Sequence, residues 1–149
     1  MTTHHQLYYH LVFSTKSRKP YLQPNTRESM FEYLGGTVRG LDAVPIRIGG
    51  WVDHVHLLVK LKTTHRLSDF MRSLKASSAK QFNDNHDHIQ KFGWQDGYGA
   101  FTVGPSTKPA VIRYIENQVS HHASETFKSE YLRMLDAAGV GYDERYVFD

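Results

Sequence analysis

The hydrophobic pattern of the chain switches between period two and period 3.6, and the switches define its elements. Residues 7–15 (LYYHLVFST) are aromatic and branched and predict a strand, ended by the basic segment Lys16-Ser17-Arg18-Lys19-Pro20. Pro24 and Asn25 open a helix whose apolar positions Met30, Phe31, Leu34 and Val38 recur at helical spacing. Gly35-Gly36 weakens its middle and Gly40 closes it. Residues 43–48 and 52–61 predict two further strands, joined by a tight hairpin near Gly49-Gly50. The clearest helix spans 64–83, where Leu67, Phe70, Met71, Leu74, Ser78 and Phe82 form one stripe and Thr64 or Ser68 is available as cap. Its other side carries Arg72, Ala76 and Lys80. Residues 83–88 are polar and turn-forming, 98–104 predict a fourth strand, and Pro109 begins a helix running through Val111, Ile112, Ile115 and Val119. A last helix covers 127–135 and ends near Gly139, before a mixed tail over 142–149.

Strand, helix, strand, strand, helix, strand, helix is the order of a split βαβ unit with an addition. The predicted fold class is α+β: a ferredoxin-like antiparallel sheet with two helices on one face and a C-terminal helical extension. The other face is left for ligands or a partner. At 149 residues the chain reads as one domain, 1–149. With 18 Lys and Arg against 15 Asp and Glu the net charge is +3, which permits a polyanionic partner. The absence of cysteine excludes disulfides, thiolate metal sites and cysteine nucleophiles. The N-terminus is polar and no apolar run approaches the roughly 18 residues that cross a bilayer. A soluble cytoplasmic protein is therefore expected.

The candidate chemistry starts at His54-Val55-His56, inside the apolar run of the third strand. Residues i and i+2 of a strand face the same way about 6.5–7 Å apart, so two neutral imidazoles can share one ion. Tyr114 and Gln118 are four apart in a predicted helix and so neighbours on one face, offering a nucleophile and an oxygen ligand. A divalent ion held by His54, His56 and Gln118 would polarise a phosphoryl oxygen and keep positions open for substrate. Two imidazoles favour Mn2+ in affinity, whereas Mg2+ prefers oxygen donors. Asp53 is open to three readings: a further ligand, a group orienting an imidazole, or a turn residue. His121 and His122, near a helix end, read first as surface residues and second as groups that line the site or interact with the helix dipole, and His4, His5, His10, His65, His86 and His88 match no constellation. Lys16, Arg18 and Lys19 lead the candidates for contacts to nucleic-acid phosphates, followed by Arg72 and Lys75. Unpaired bases could stack on Tyr or Trp.

Taken together, residues 13–20 (FSTKSRKP), 53–58 (DHVHLL), 74–78 (LKASS), 94–101 (WQDGYGAF), 114–118 (YIENQ) and 142–146 (YDERY) resemble the single-tyrosine transposases of the HUH superfamily. These are the small TnpA enzymes of insertion sequences. The resemblance implies that His54, His56 and Gln118 bind Mg2+ or Mn2+ and that Tyr114, carried on the extension, attacks single-stranded DNA. A 5′-phosphotyrosine intermediate would form and a 3′-hydroxyl would be freed, which later rejoins strands. It further implies hairpin-ended single-stranded DNA as partner, and a homodimer in which the tyrosine helix of one subunit completes the site of the other. Two other readings are weighed beside it. One is a catalytically inactive hairpin-binding protein or repressor retaining the fold; the other is a replication or conjugation nickase, which would usually carry further domains or a second tyrosine.

Overall fold

The computed structural model describes residues 2–86 and 91–149. His88 and the end of the predicted polar loop fall outside them. The elements run β1 (Leu7–Ser14), α1 (Pro24–Gly40), β2 (Val44–Gly50), β3 (His54–Leu61), α2 (Leu67–Asn85), β4 (Gly99–Val103), α3 (Lys108–Glu116), α4 (Gln118–His121) and α5 (Phe127–Ala137). The strands form one antiparallel sheet in the order β2-β3-β1-β4, the predicted split βαβ arrangement.

Period-two alternation sorts the central strands onto two faces. Leu11 and Phe13 of β1 and Val55, Leu57 and Val59 of β3 point into the main core, which α1 and α2 close with Met30, Leu34, Val38, Phe70, Met71, Leu74 and Phe82. Ser78, the polar member of the α2 stripe, is buried there because its hydroxyl accepts a bond from the Trp94 indole N–H at 3.0 Å. The opposite face carries His10, Val12, His54, His56 and Leu58. It is not free, contrary to expectation. Val12 packs with Phe127, Tyr131 and Leu135 of α5, and Leu58 packs with Ile115 of α3 and Val103. Both flanks of this face are apolar, and the imidazoles lie between them.

Four local expectations need correction. Gly49 and Gly50 do not form the hairpin turn; they belong to β2, opposite His56 and Val55, and residues 51–53 make the turn. Thr64 and Ser68 do not cap α2, which begins after Arg66 with no side-chain cap among the described residues. The helix expected through Val119 ends at Glu116 and resumes at Gln118, so Tyr114 and Gln118 lie on either side of a break at Asn117. Asn competes for backbone bonds with its own side chain, which suits it to such a break. Val119, one of the apolar positions of that predicted helix, is half-exposed rather than packed.

The glycine at 49 has a packing role instead. A Cβ built there would lie 2.4 Å from the Ile115 carbonyl oxygen, so α3 reaches the sheet only over a bare backbone. Gly49→Ala should lower stability by about 1–3 kcal/mol through overpacking, measured by urea unfolding. Unchanged stability would show that α3 does not lie this close.

Candidate active site

Every group of the site is delivered by an element already accounted for. His54 and His56 come from β3 and His10 from β1, all on the face roofed by the C-terminal helices. Tyr114 comes from α3, which Ile115 anchors, Gln118 from the start of α4, and His122 from just beyond α4. Glu130 comes from α5. His54, His56 and Glu130 have no solvent exposure and Gln118 has 1%. A buried carboxylate is costly unless surrounded by donors or positive charge, and the site is organised around this one.

Glu130 Oε1 lies 3.2 Å from His54 Nε2, 3.2 Å from His56 Nε2 and 3.1 Å from His122 Nε2. Its other oxygen accepts a bond from the Gln118 amide at 3.0 Å and a short bond from the Tyr114 hydroxyl. Gln118 Oε1 is 2.9 Å from His54 Nε2 and 3.1 Å from His122 Nε2. Behind these groups stands a second set. Asp53 Oδ1 is 2.8 Å from His54 Nδ1, His10 Nε2 is 2.8 Å from His56 Nδ1, and the Glu125 carbonyl is 2.6 Å from His122 Nδ1. Arg133 donates to the Tyr114 oxygen at 3.0 Å and is held by Glu125.

The sequence-derived set His54, His56, Tyr114 and Gln118 is thus brought together, and within one chain: the Tyr114 ring is 5.6 Å from that of His56. Of the three readings of Asp53, its contact is the one an orienting group makes. His10, which matched no constellation in the sequence, belongs to the cluster, and of the readings of His122 the one that lines the site holds. Glu130 is the residue sequence reasoning missed. A signal existed: with Phe127, Tyr131 and Leu135 it occupies one buried stripe of α5, where a carboxylate has no reason to be unless it is partnered. His10 carried a similar signal, a histidine at the alternate position of an apolar strand.

The basic candidates stand apart from this cluster. Lys16 and Lys19 line a cleft of about 400 Å³ with Tyr21 and Lys91, while Arg18 donates to the Phe148 carbonyl at 3.4 Å and covers that ring. Arg72 and Lys75 lie on α2, across the sheet, beside a cleft of about 460 Å³ that Trp94 and Tyr98 also line. Arg72 pairs with Asp69 at 3.3 Å. Lys75 donates to the carbonyls of Asp96 and Gly97, and burial lowers its pKa to about 8.

Three comparisons bear on the chain. The model of the family described as "Transposase IS200 like" matches residues 3–118. The chain belongs to the IS200-like transposase family. It is similar to the ISDra2 transposase TnpA of Deinococcus radiodurans, 27% identical over 121 residues that make up 76% of this chain and 85% of that protein. A crystal structure from Deinococcus radiodurans R1, assigned as a transposase, superposes with TM-score 0.65 at 26% identity, covering 79% of this chain and 95% of the other. A REP-associated tyrosine transposase solved bound to a REP hairpin shares the fold, with TM-score 0.60 at 14% identity over 100% of this chain and 93% of its own. Family membership makes the chain a DNA-processing enzyme of the transposition and recombination class. No helix among the described residues is long and apolar enough to cross a membrane.

Burial sets the electrostatics of the transposase site. It lowers His56 to about 4 and His10 to about 3, with neighbouring imidazoles adding to the effect and Glu130 opposing it. Burial pulls His54 down too, but the carboxylates of Asp53 and Glu130 outweigh it and raise this ring. Glu130 is held well below the carboxylate range because its imidazole partners outweigh burial. Burial and Glu130 raise Tyr114, so the chain alone keeps the phenol protonated.

These shifts fix a sign. His10 and His56 take up protons in the unfolded chain near 6.5 and in the folded chain only near 3 to 4, so their stabilisation holds above 6.5 and is lost as pH falls. His54 acts oppositely, contributing below 6.5 and losing its contribution as pH rises through its raised value. The metal-free protein should therefore be most stable near neutral pH. Acidification from 6 towards 4 should lower stability steadily as the unfolded chain takes up protons that the two lowered rings refuse, read from urea unfolding. A flat profile across that interval would contradict the placement of these rings.

Proposed function

We propose that this IS200-like transposase cleaves and rejoins single-stranded DNA at insertion-sequence ends, with Tyr114 as nucleophile. The observation that carries the reading is the meeting, in one buried cluster, of the Tyr114 hydroxyl with the donors His54, His56 and Gln118 through the shared carboxylate of Glu130. Neutral imidazole and amide oxygen suit a divalent ion, and Nδ1 of His54 is held by Asp53 so that Nε2 turns inward. The donor set therefore fits Mg2+ or Mn2+, with the nitrogen donors favouring manganese. When bound, the ion supplies Lewis-acid polarisation of a phosphoryl oxygen.

The chain's own residues do the rest. Tyr114 gives its phenolic proton to solvent as its oxygen bonds to phosphorus; the bond from phosphorus to the 3′ oxygen breaks, and that oxygen takes a proton from solvent, so no net proton is gained or lost. The 5′-phosphotyrosine keeps a phosphoester that a later 3′-hydroxyl can attack, so rejoining strands needs no nucleotide cofactor. Burial and Glu130 hold the phenol protonated, and among the described residues Arg133 is the one group on the Tyr114 oxygen that opposes them. Arg133, already on the Tyr114 oxygen, adds positive charge there. Hairpin-ended single-stranded DNA is the proposed partner. Lys16, Arg18, Lys19, Arg72 and Lys75 supply phosphate contacts, and Trp94 and Tyr98 line a cleft suited to unpaired bases.

A specific observation favours assembly of the site within one chain: α3 packs on β2 and β3 of its own sheet, and Tyr114 reaches its own histidines. The shared-site homodimer is the second reading. Mixing His56→Ala with Tyr114→Phe subunits separates the two, since within-chain assembly predicts no recovery of cleavage and a shared site predicts partial recovery in proven heterodimers.

Wild-type protein incubated with Mn2+ and a hairpin carrying single-stranded flanks from its own element ends should yield a denaturation-resistant protein–DNA adduct. Tyr114→Phe and chelator should each abolish it. DNA binding that is tight but indifferent to both, without adduct, would favour the non-catalytic hairpin-binding reading.

A further inference from the structure

We infer that His122 and Glu130 are themselves ligands of the cation, so that this chain builds its centre from imidazole, amide and carboxylate donors beyond His54, His56 and Gln118. The inference rests on the metal-assisted reading above. Both residues lie past residue 118, where the family match ends.

His54 Nδ1 faces the Asp53 carboxylate at 2.8 Å, and His122 Nδ1 faces the Glu125 carbonyl at 2.6 Å. Both oxygens accept and cannot donate, so each ring carries its hydrogen on Nδ1 and, when neutral, aims the bare lone pair of Nε2 inward. The Gln118 amide is fixed as well, because its NH2 group donates to Glu130 Oε2 at 3.0 Å and leaves Oε1 facing the rings. His54 Nε2 then meets Gln118 Oε1 at 2.9 Å and Glu130 Oε1 at 3.2 Å; His122 Nε2 meets the same two oxygens at 3.1 Å each. Four lone-pair atoms converge, and none of them offers a hydrogen while the rings are neutral. His56 Nε2, 3.2 Å from Glu130 Oε1, can donate to that oxygen, but the facing lone pairs of His54, His122 and Gln118 are relieved only by protons on the rings or by a cation.

A divalent cation satisfies the spacing as well as the charge. Adjacent donors of an octahedral ion with bonds of about 2.1 Å lie about 3.0 Å apart. The four cross-distances here span 2.9–3.2 Å. The ligand atoms of His54, His122 and Glu130 all fall within 4.8 Å of one another, and Glu130 brings the charge that a set of neutral donors lacks. Asp53 and the Glu125 carbonyl then act as outer partners that fix the tautomer of each ring. Glu130 Oε2, on the Tyr114 hydroxyl, makes the same carboxylate a positioning group for the phenol.

The test is Mn2+ binding to the full chain without DNA, by calorimetry at pH 7, so that cleavage plays no part in the readout. Glu130→Gln and His122→Ala should each weaken Mn2+ affinity by about 10-fold or more. Unchanged affinity in both would overturn the inference, and tighter binding in Glu130→Gln would overturn it by showing that the carboxylate competes with the ion. Should a variant fail to fold, 113Cd2+ added to 15N-labelled wild-type protein gives a second measurement, with scalar coupling expected to His122 Nε2. Coupling to His54 and His56 alone would reject His122 as a ligand. Failure of the wild-type chain to bind any of these ions would remove the metal-assisted reading itself, whereas binding lost in His54→Ala but retained in both test variants removes only the inference.

Discussion

A single buried carboxylate, Glu130, holds the second face of the sheet together. It is charged and without solvent, and it is tolerable there because imidazoles from β3 and from the end of α4, an amide from α4 and a phenol from α3 all turn towards it. Removing one partner from such a buried set costs about 3–5 kcal/mol, comparable with a large part of a domain's stability. Three C-terminal elements are therefore tied to the histidine face by one polar cluster as well as by their apolar residues. The apolar packing on either side, Val12 with α5 and Leu58 with α3, excludes water and makes each polar contact stronger.

The same constraint explains why the chemistry gathers where it does. The sheet supplies rigid positions for His10, His54 and His56, and Gly49 lets α3 approach until Tyr114 reaches them. Across the break at Asn117, Tyr114, Gln118 and His122 follow one another at intervals of four and all reach the cluster. Folding and the presentation of donors are thus one process: the contacts that hold the roof are the contacts a cation would take over.

Much of this was legible in the sequence, for identifiable reasons. Period two placed His54 and His56 side by side, and the spacing of four paired Tyr114 with Gln118 although the helix between them is broken. The strand and helix order gave the split βαβ sheet, because its elements are short and their apolar stripes strongly periodic. What escaped was set by tertiary packing. Glu130 reads as a surface residue in an amphipathic helix until α5 is laid on Val12, and His122 reads as exposed until the turn after α4 is closed by its bond to the Glu125 carbonyl. Gly49-Gly50 read as a hairpin turn because the approach of Ile115 is invisible in a local window. The basic residues were easy to name and less easy to interpret: Arg18 is engaged with Phe148 and Lys75 with two carbonyls, so charge alone did not reveal which of them face solvent.

The central claim is that the lone pairs converging beneath the C-terminal roof form a cation centre that includes Glu130. An anomalous difference map at the manganese edge, from crystals grown with Mn2+, tests it most directly. One peak is expected among His54 Nε2, His56 Nε2, His122 Nε2, Gln118 Oε1 and the Glu130 carboxylate, with His122 and Glu130 within bonding distance. A peak bonded to His54, His56 and Gln118 with Glu130 and His122 outside coordination, or no peak in this cluster, would contradict it.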